Sequence, residues 1–581
     1  MTPTAPRCIH QAVSAQAGQN PGAVALVYRG ASTDYRTLDA AADSCAADLI
    51  RAGVRPGSIV PVILPRTPHL IVTLLAILKC GAAYAAFDHR WPAERVASLL
   101  KLVQPPLVIA DRDDLVAGRP RWDPSTRDVA RWAAAGAGAP DAAVGPDAPA
   151  CVFFTSGTTG TPKGVVSPHR ATTRLFAGDG PFAFGPGRVM CQGAPPAWDA
   201  FSLELWGMLA TGGTAVIVEH DHLLPHVLEQ LVAEHGVNTL WLTASLFNLF
   251  TDLEPECFTG LDRVITGGEK LSVSHVGRFL DHHPGIGLTN GYGPVETCVF
   301  ATCHPVGRPD LDAPDGIPLG RPVPGTRVHV IDGEICVSGA GVALGYLGQD
   351  DRTADRFVDR RIDGEPVRVY RTGDRGRLDT DGVLHFLGRA DRQVKVRGYR
   401  IEPAEIESVA SRLSGVRQCV VVPVPAADGV PDSYDKLALF FTAEDSAAAD
   451  PLAIRERLTA RLPRYAVPEV IRRVPVIPVT AHGKTDARAL LADLNPPLRY
   501  AAGSLGPRIG VVYSTRWWPR PGLTLWCSDP RRPGMPVNRE IEPLNIWRPT
   551  NVSSGLNRSR ENAKSDFSDP SGQNHPGVNH R

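Results

Sequence analysis

Apolar and polar positions along the first 270 residues alternate between a helical and an extended pattern. Residues 35–50 and 68–79 have helical spacing; the first segment is ended by Gly53, and the second opens with a proline and is followed by Gly81. Short continuous apolar runs, typical of buried strands, occupy residues 59–64, 107–110, 215–218, 239–242 and 263–266. This alternation predicts an α/β architecture with a largely parallel sheet.

The pattern changes in the second half of the chain. Residues 327–339 contain short strand patterns with Gly/Pro turns, and a second unit begins near Arg389. Its predicted elements are strands at 393–397, 418–423 and 436–442 and helices at 403–413 and 451–462. We therefore expect a large N-terminal domain over residues 1–388 and a small α+β domain over residues 389–494.

Residues 495–581 differ from both domains. They are rich in Arg, Pro, Trp, Asn and Ser, and no periodic segment stands out. We expect this tail to be mostly disordered, although a translated frameshift would have the same character.

Composition narrows the class of protein. The 581 residues include 61 basic and 61 acidic side chains, so the net charge gives no reason to expect a nucleic-acid or membrane partner. The eleven cysteines are scattered without a C-x-x-C pair, which is typical of buried thiols in a reducing compartment. The N-terminus lacks the apolar core of a signal peptide, and the apolar run at 70–78 is far shorter than the ~20 residues of a membrane span. We expect a soluble cytoplasmic protein.

One loop suggests phosphate binding. Residues 155–164 read TSGTTGTPKG and follow the apolar run at 150–154. Hydroxyls, glycine N–H groups and a lysine suit phosphate oxygens, yet the spacing is not that of a Walker loop. From these residues alone, an ordinary flexible turn is an equally good interpretation.

The loop resembles the phosphate loop of the adenylate-forming (AMP-binding) superfamily, and more closely that of adenylation domains in nonribosomal peptide synthetases. Further segments resemble that family's blocks in the family's order, over about residues 10–494. They include AWDAFSLELWGM at 197–208, NGYGPVET at 290–297, YRTGDR at 370–375, GRADRQVKVRGYRIEPAEIES at 388–408 and PVTAHGKTDARALL at 478–491.

The resemblance implies a fold, a reaction and partners. The large domain would contain parallel-sheet α/β subdomains and a small β-structured subdomain, followed by a mobile C-terminal domain. An amino acid would react with ATP and Mg²⁺ to give an aminoacyl adenylate and pyrophosphate. The acyl group would then pass to the phosphopantetheine thiol of a peptidyl carrier protein on another chain. Whether a small accessory protein is needed for folding, as for some relatives, stays open.

The resemblance also assigns residues to the nucleotide. The phosphates would be held by Thr155, Ser156, Gly157, Thr158, Thr159, Gly160 and Lys163. The rest of the nucleotide would contact Asn290, Tyr292, Gly293, Asp374 and Arg389. Glu296 would bind Mg²⁺, Asp391 would be the hinge, and Lys484 would be the catalytic lysine, assisted by Lys163 and Thr155. The residue two positions before Lys484 is a histidine where the family usually has asparagine.

Asp199 points to an amino acid as the substrate. An unpaired buried carboxylate is very costly, so the α-ammonium of the substrate is its natural partner. The family's pocket positions correspond to Asp199, Ala200, Leu203, Trp241, Ile265, Gly267, Gly291, Val299, Phe300 and Lys484. All of these residues except Asp199 and Lys484 are uncharged, and most are apolar. We expect Trp241 to shorten the pocket and the absence of side chains at the two glycines to widen it.

The predicted substrate is L-valine, followed by isoleucine or another small aliphatic amino acid. Two alternatives remain. One is an acyl- or aryl-CoA ligase, which Asp199 disfavours; the other is a catalytically broken relic of an adenylation domain.

Overall fold

A computed structural model describes residues 8–138, 140, 142–155, 162–176, 180–426, 433–443, 450–479, 485–492 and 494. All of them belong to one compact unit, residues 1–497. The predicted tail over 495–581 lies outside the described residues. Within the described ranges, no helix is both long enough and apolar enough to cross a lipid bilayer.

The helices of the described chain are α1 (Ile9–Gln19), α2 (Tyr35–Arg51), α3 (Pro68–Lys79), α4 (Ala93–Val103), α5 (Val129–Ala134), α6 (His169–Thr173), α7 (Asp199–Leu209), α8 (Pro225–His235), α9 (Ala244–Leu253), α10 (Val273–His282), α11 (Asp350–Arg356), α12 (Pro403–Ala410), α13 (Pro451–Thr459) and α14 (Ala487–Ala492).

The strands are β1 (Val24–Tyr28), β2 (Ala31–Asp34), β3 (Ile59–Ile63), β4 (Ala83–Ala86), β5 (Val108–Ala110), β6 (Arg121–Trp122), β7 (Pro149–Thr155), β8 (Lys163–Pro168), β9 (Val189–Gln192), β10 (Thr214–Ile217), β11 (Thr239–Thr243), β12 (Arg263–Gly267), β13 (Gly287–Tyr292), β14 (Thr302–Val306), β15 (Arg321–Pro322), β16 (Thr326–Ile331), β17 (Glu334–Gly339), β18 (Gly345–Tyr346), β19 (Phe357–Ile362), β20 (Glu365–Leu378), β21 (Leu384–Arg389), β22 (Val394–Val396), β23 (Tyr399–Ile401), β24 (Val416–Pro425), β25 (Tyr434–Ala443) and β26 (Val470–Arg473).

These strands form four sheets. Sheet I has the order β15-β14-β13-β12-β11-β9-β10-β1-β2, and sheet II has the order β18-β8-β7-β4-β3-β5-β6. The interior pairs of both sheets are parallel. Pairs at the edges are antiparallel, except that β5 and β6 at one edge of sheet II are parallel. Sheet III (β16-β17-β20-β19, with β21 on β20) is antiparallel, and sheet IV (β23-β22-β25-β24, with β26 on β25) is mixed. The α/β fold with parallel-containing sheets and a smaller C-terminal region is as predicted.

Helices packed between sheets I and II make the main core. One hydrophobic cluster joins side chains of α2, α3 and α7 to strands of both sheets. The run Leu70–Lys79 within α3 is buried at every position, so the most apolar segment of the sequence is a helix with no solvent face. The predicted helix bounds for α2 and α3 are confirmed to within one residue, with α2 capped by the Asp34 side chain.

The C-terminal region has its own core. Side chains of α12 and α13 cover one face of sheet IV, and α14 contributes to a second cluster on the other face. The helix predicted at 403–413 ends at Ala410, because the chain turns there and Gly415 has a φ of +90°. Strands β20 and β26 were not predicted, since charged residues obscure the alternation in both. The predicted boundary at residues 388 and 389 falls just before the end of β21, and it stays a prediction.

The core of sheet I yields a test on a single helix, α9. Phe247 is fully buried against the rings of Phe258 and Phe279, whereas Leu249 on the same helix is 44% exposed. Phe247→Ala should therefore lower the free energy of unfolding by about 3–5 kcal/mol, and Leu249→Ala by no more than about 0.5 kcal/mol. Urea unfolding of the two variants measures the difference. Equal shifts in the unfolding midpoint would contradict the described packing.

Candidate active site

All four sheets contribute residues to two adjoining cavities. Strands β11, β12 and β13 of sheet I end side by side, which is where ligands bind in open parallel sheets. A cavity of about 270 Å³ lies between these ends and β20, β21 and sheet IV. A second cavity of about 150 Å³ extends toward α7 and the end of β7. The two share lining residues Gly268, Gly291, Asp374, Arg389, Gln393 and Lys395.

A buried carboxylate stands at the junction of the cavities. Asp374 in β20 is 5% exposed and pairs with Arg389 across the β20–β21 ladder, where the arginine donates to Asp374 Oδ1. The hydroxyl of Tyr292, at the end of β13, donates to Asp374 Oδ2 over 2.6 Å. Arg389 also donates to both oxygens of Asp391, at 2.8 and 2.9 Å. Sheets I and III are thus joined by one charged network, because a buried carboxylate needs such partners.

A second carboxylate, Glu296, is completely buried. Its Oε2 accepts from Arg400 Nη1 at 2.7 Å, and its Oε1 accepts from the hydroxyl of Tyr346 at 2.9 Å. Burial would raise the pKa of this carboxyl, but the charges of Arg400 and Lys163 outweigh it and lower the pKa to about 2. Glu296 is therefore an anion at any physiological pH.

Asp199 begins α7 at the wall of the smaller cavity. Its Oδ2 accepts the backbone N–H of Val299 at 2.8 Å. Burial raises the pKa of this carboxyl, and the backbone hydrogen bonds of Val299 and Ala200 oppose that rise. The neighbouring cavity walls are apolar: Ala200, Trp241, Val299 and Phe300. No cation of the described residues forms an ion pair with Asp199, unlike Asp374 and Glu296.

The phosphate-loop residues flank the same cavity at the end of β7. Thr155 lines the smaller cavity, and its buried hydroxyl has no hydrogen-bond partner within the described chain. Lys163 is 6% exposed, and its Nζ lies 3.5 Å from Glu402 Oε1. A buried hydroxyl without a partner and a buried ammonium can both serve an anionic ligand. Ser156, Gly157, Thr158, Thr159 and Gly160 lie outside the described residues.

A hairpin of sheet IV reaches into the site. Strands β22 and β23 pair so that Lys395 stands opposite Arg400, and the two-residue turn between them has positive φ at Arg397 and Gly398. A Cβ on Gly398 would lie 2.7 Å from Thr243 Cγ2, so only glycine allows this approach to sheet I. Glu269 Oε1 accepts the N–H of Gly398 at 2.8 Å.

Other contacts hold the C-terminal region in this arrangement. Arg95 and Glu405 form a buried ion pair of 3.0 Å between α4 and α12. Trp198 packs edge-on against Tyr399, whose ring stacks on Tyr465 at 4.0 Å between centroids. The aromatic contact lies beside Asp199, so the C-terminal region covers the mouth of the smaller cavity.

Comparison with known proteins decides the family. The AMP-binding enzyme family matches residues 13–347, and the AMP-binding enzyme C-terminal domain matches residues 405–484. The chain belongs to the AMP-binding enzyme family. It is an adenylate-forming ligase that uses ATP, and within the family it is of the nonribosomal peptide synthetase adenylation type.

Individual relatives support the assignment. The AMP-binding enzyme is 35% identical over 503 residues to malpibaldin synthetase of Mortierella alpina, covering 84% of this chain and 9% of that protein. It is 34% identical over 495 residues to tyrocidine synthase 3 of Brevibacillus parabrevis, covering 83% of this chain and 8% of that one. The chain thus spans less than a tenth of either relative.

One solved structure matches this chain over most of the length of both proteins. Holo-PA1221, an NRPS protein containing adenylation and PCP domains bound to a vinylsulfonamide inhibitor, has a TM-score of 0.77 and 36% sequence identity. The match covers 84% of both chains. The predicted family and fold class are confirmed.

The structure brings most of the predicted site residues together. Around the larger cavity lie Asn290, Tyr292, Asp374, Arg389 and Asp391, and around the smaller one lie Thr155, Asp199, Ala200, Trp241, Gly291, Gly293, Val299 and Phe300. Lys163 and Glu296 are buried nearby. Lys484 lies outside the described residues.

Three predicted pocket residues, Leu203, Ile265 and Gly267, do not line the cavity. Leu203 and Ile265 are fully buried in the core behind it. The two glycines do not leave width as expected, because neighbouring atoms already fill the space above them. A Cβ on Gly291 would lie 2.3 Å from the Phe300 ring, and one on Gly267 would lie 2.0 Å from Gly291 O. The Phe300 ring therefore takes the room above Gly291, and the backbone of Gly291 takes the room above Gly267.

Sequence reasoning missed the basic hairpin. Arg400 donates to Glu296, and both Arg400 and Lys395 line the smaller cavity. Neither residue was predicted from the sequence to be part of the site. The signal was available in residues 394–401, VKVRGYRI, where basic and apolar residues alternate on either side of an Arg-Gly turn. What the pattern could not tell is that the basic side chains would meet Glu296, which lies in the short helical turn after β13 of sheet I.

The Arg400–Glu296 pair yields a prediction about domain contact. Arg400→Gln should loosen the hairpin, because it leaves a buried carboxylate without its principal partner, at a cost of about 3–5 kcal/mol. Deuterium uptake in peptides covering β22 and β23 should rise. The matched control is Arg397→Gln, since Arg397 is 58% exposed and pairs with Glu469 inside the C-terminal region. Similar uptake in both variants would contradict the interdomain role of Arg400.

Proposed function

We propose that this enzyme activates an L-amino acid, with valine as the best fit, forming an aminoacyl adenylate and pyrophosphate from ATP. The observation that carries the proposal is Asp199, a carboxylate at the wall of an apolar cavity with one oxygen held by the N–H of Val299. Its charged form lacks a cationic partner in the described chain, and the α-ammonium of an amino acid would supply one.

The cavity favours a short, branched aliphatic side chain. Trp241 and Phe300 meet with ring centroids 5.4 Å apart and close the inner end, while Ala200 and Val299 form the sides. These walls offer no side-chain partner to a polar substrate. Leu203 and Ile265 act from behind by fixing the wall residues in the core. Because one methylene is worth only about 1–3 kcal/mol, we expect relaxed selectivity between valine and isoleucine.

The larger cavity suits the nucleoside of ATP. Tyr292 would lie against the adenine, with Asn290 at its edge and Gly293 beneath, and Asp374 would accept the ribose hydroxyls. Tyr292 and Arg389 each donate one hydrogen bond, to different oxygens of Asp374. Because a carboxylate can accept about four hydrogen bonds, Asp374 could still accept two from the ribose. Thr155, Lys163 and the loop between them would surround the phosphates.

Glu296 fits a role in binding Mg²⁺. It remains ionised, and an oxygen anion is the ligand that this ion prefers. Mg²⁺ is commonly held by one or two carboxylates together with substrate phosphates, so a single carboxylate suffices for this role. When bound, Mg²⁺ would neutralise phosphate charge. The positive charge of Arg400, which donates to Glu296 Oε2, would repel a metal ion at that oxygen, so we expect the hairpin to withdraw when Glu296 binds the metal.

Lys484 completes the proposed first reaction. We place it at the substrate carboxylate and the α-phosphate when the C-terminal region rotates about Asp391. That residue lies between β21 and β22, where the described regions meet. The substrate carboxylate oxygen would attack the α-phosphorus and pyrophosphate would leave, with Lys484 stabilising the charge that develops.

In the second reaction the phosphopantetheine thiol of a carrier protein, in trans, would attack the acyl carbon of the adenylate. The thiol would lose its proton, the acyl–phosphate bond would break and AMP would leave. Holo-PA1221, with adenylation and PCP domains, supports a partner of this class. The hairpin that carries Lys395 and Arg400 would then replace Lys484 as the source of positive charge.

The alternative function, an acyl- or aryl-CoA ligase, is disfavoured by Asp199.

Amino-acid-dependent ATP–pyrophosphate exchange tests the proposed activity. Valine should give the highest kcat/KM, with alanine lower by at least about tenfold because of its missing methyl groups. Lys484→Ala should lower the exchange rate by about 10²–10³-fold. Lys436→Ala, an exposed lysine of the same region, is the control and should leave the rate unchanged.

Other results would correct the proposal. Exchange with a different amino acid would keep the chemistry and refute the pocket assignment. No exchange with any amino acid, from protein that binds ATP, would refute amino-acid activation.

The pH dependence tests Asp199. Its pKa is raised by burial, so the ionised form needed for the substrate ammonium is present above that pKa and is lost as the pH falls through it. The wild-type KM for valine should therefore rise toward acidic pH. Asp199→Asn should lower kcat/KM by about a hundredfold or more and show no such rise, while KM for ATP stays within about twofold. A pH-dependent KM that persists in the variant would assign the titration to another group.

A further inference from the structure

A buried arginine lies behind the smaller cavity and has no role so far. Arg174 follows α6 and is only 4% exposed. In the described chain its acceptors are main-chain carbonyls and one hydroxyl rather than a carboxylate. Its Nη2 donates to Thr297 O at 2.7 Å and to Phe300 O at 2.6 Å, and Nε donates to Thr326 Oγ1 at 3.0 Å. Further donations reach the carbonyls of Ala171 and Cys298.

The hydrogen-bond network of Arg174 is unusual because burying its charged guanidinium costs free energy. Burial lowers the pKa of the Arg174 guanidinium to about 10, so the group still carries a charge at neutral pH. A buried charge without a counter-ion is expensive, and it persists only where many dipoles surround it. The five donors of a guanidinium form a rigid fork, which suits several carbonyls at fixed directions.

The segment that Arg174 contacts is strained. Cys298 has a φ of 53° and Val299 a φ of 65°, both in the left-handed region. A β-branched residue there is an outlier, and such a conformation persists only when its surroundings enforce it, at a cost of about 1–3 kcal/mol. The carbonyls on both sides of these residues, at Thr297 and Phe300, are bound by the same nitrogen of Arg174.

The strained segment has two functions in the pocket. The N–H of Val299 binds Asp199 Oδ2, which fixes the orientation of the carboxylate. The Phe300 ring packs on Trp241 and fills the space above Gly291, which sets the depth of the cavity. The position of both groups depends on the backbone of residues 297–300.

We propose that Arg174 is a positioning residue for the amino-acid pocket. It holds residues 297–300 in their strained conformation, so that Val299 occupies one oxygen of Asp199 and leaves the other to the substrate ammonium. The same contacts keep Phe300 at the end of the cavity. Arg174 touches neither substrate nor ATP. The proposal rests on the proposed amino-acid activation and deepens it, because it names a residue that controls affinity and selectivity from behind the pocket.

A purely structural role is the competing explanation. Arg174 also contacts Thr326, and a Cβ on Gly341 would lie 2.4 Å from its guanidinium, so the residue ties several loops together. If that were its whole contribution, substitution would lower thermal stability without a specific effect on the amino acid.

The test compares Arg174→Lys and Arg174→Met with a matched control, Arg170→Lys. Arg170 lies on the adjacent helix α6 and pairs with Asp147 at 2.5 Å. It donates to the carbonyls of Ala340 and Val342 but has no hydrogen bond to residues 297–300 among the described contacts. Arg174→Lys keeps the positive charge but loses the forked guanidinium and its fixed donors. We therefore expect Arg174→Lys to fold more readily than Arg174→Met.

Two measurements on the full chain are needed. Deuterium uptake of peptides covering residues 297–301 should become faster by about tenfold or more in Arg174→Lys, as expected when hydrogen bonds to a charged group are lost. In ATP–pyrophosphate exchange, KM for valine should rise by a similar factor while KM for ATP stays within about twofold. The preference for valine over isoleucine should also change. Arg170→Lys should resemble wild type in both measurements.

Each other outcome counts against the proposal. Unchanged uptake at 297–301 would show that Arg174 does not hold the segment. Faster uptake together with an unchanged KM for valine, or equal rises in both KM values, would leave a structural role only. A wild-type enzyme without amino-acid-dependent exchange would refute the proposed function and the substrate part of this inference, while the uptake measurement would still decide whether Arg174 restrains the segment.

Discussion

An ionised carboxylate removed from water is stable only beside a positive charge or several hydrogen-bond donors. Two such carboxylates, Glu296 and Asp374, are buried beside the cavities of this enzyme. A third, Asp199, is partly buried at the wall of the smaller cavity, and each of the three comes from a different part of the fold. Asp374 is balanced by Arg389 of the adjacent strand, and Glu296 by Arg400 of the C-terminal hairpin. Asp199 has a backbone N–H and no cation of the described chain. The distribution of partners therefore determines which carboxylate is left for a ligand.

The same requirement links the conformation of the enzyme to its chemistry. Arg400 can satisfy Glu296 only while sheet IV lies against sheets I and III, and Gly398 permits that approach. Moving the hairpin away would expose Glu296 to other cations. Arg400 belongs to the C-terminal region and Glu296 to the N-terminal region. Any movement that separates the two regions must therefore give each of these charges a new partner.

Strain and packing set the shape of the smaller cavity. The paired strands β12 and β13 place Gly267 beside Gly291, and the Phe300 ring occupies the space over the second glycine. Phe300 in turn follows two residues with left-handed backbone, and a buried arginine binds the carbonyls around them. The depth of the pocket therefore depends on residues far apart in the chain, most of which a substrate would not touch.

The amino-acid sequence by itself determined the α/β class, helices such as α2 and α3, and the family, because periodicity and short motifs are local properties of the chain. It also identified Tyr292, Asp374 and Arg389, which the fold brings into one hydrogen-bonded network. Only the tertiary structure decided that Leu203 and Ile265 lie behind the cavity, that Phe300 fills the space over Gly291, and that Arg400 is the partner of Glu296. These facts concern the distance between residues that are remote from one another in the chain, and no local pattern encodes that distance. Arg174 is the clearest case: in the sequence it is one arginine among many, and its importance comes from the carbonyls that the fold places around its guanidinium.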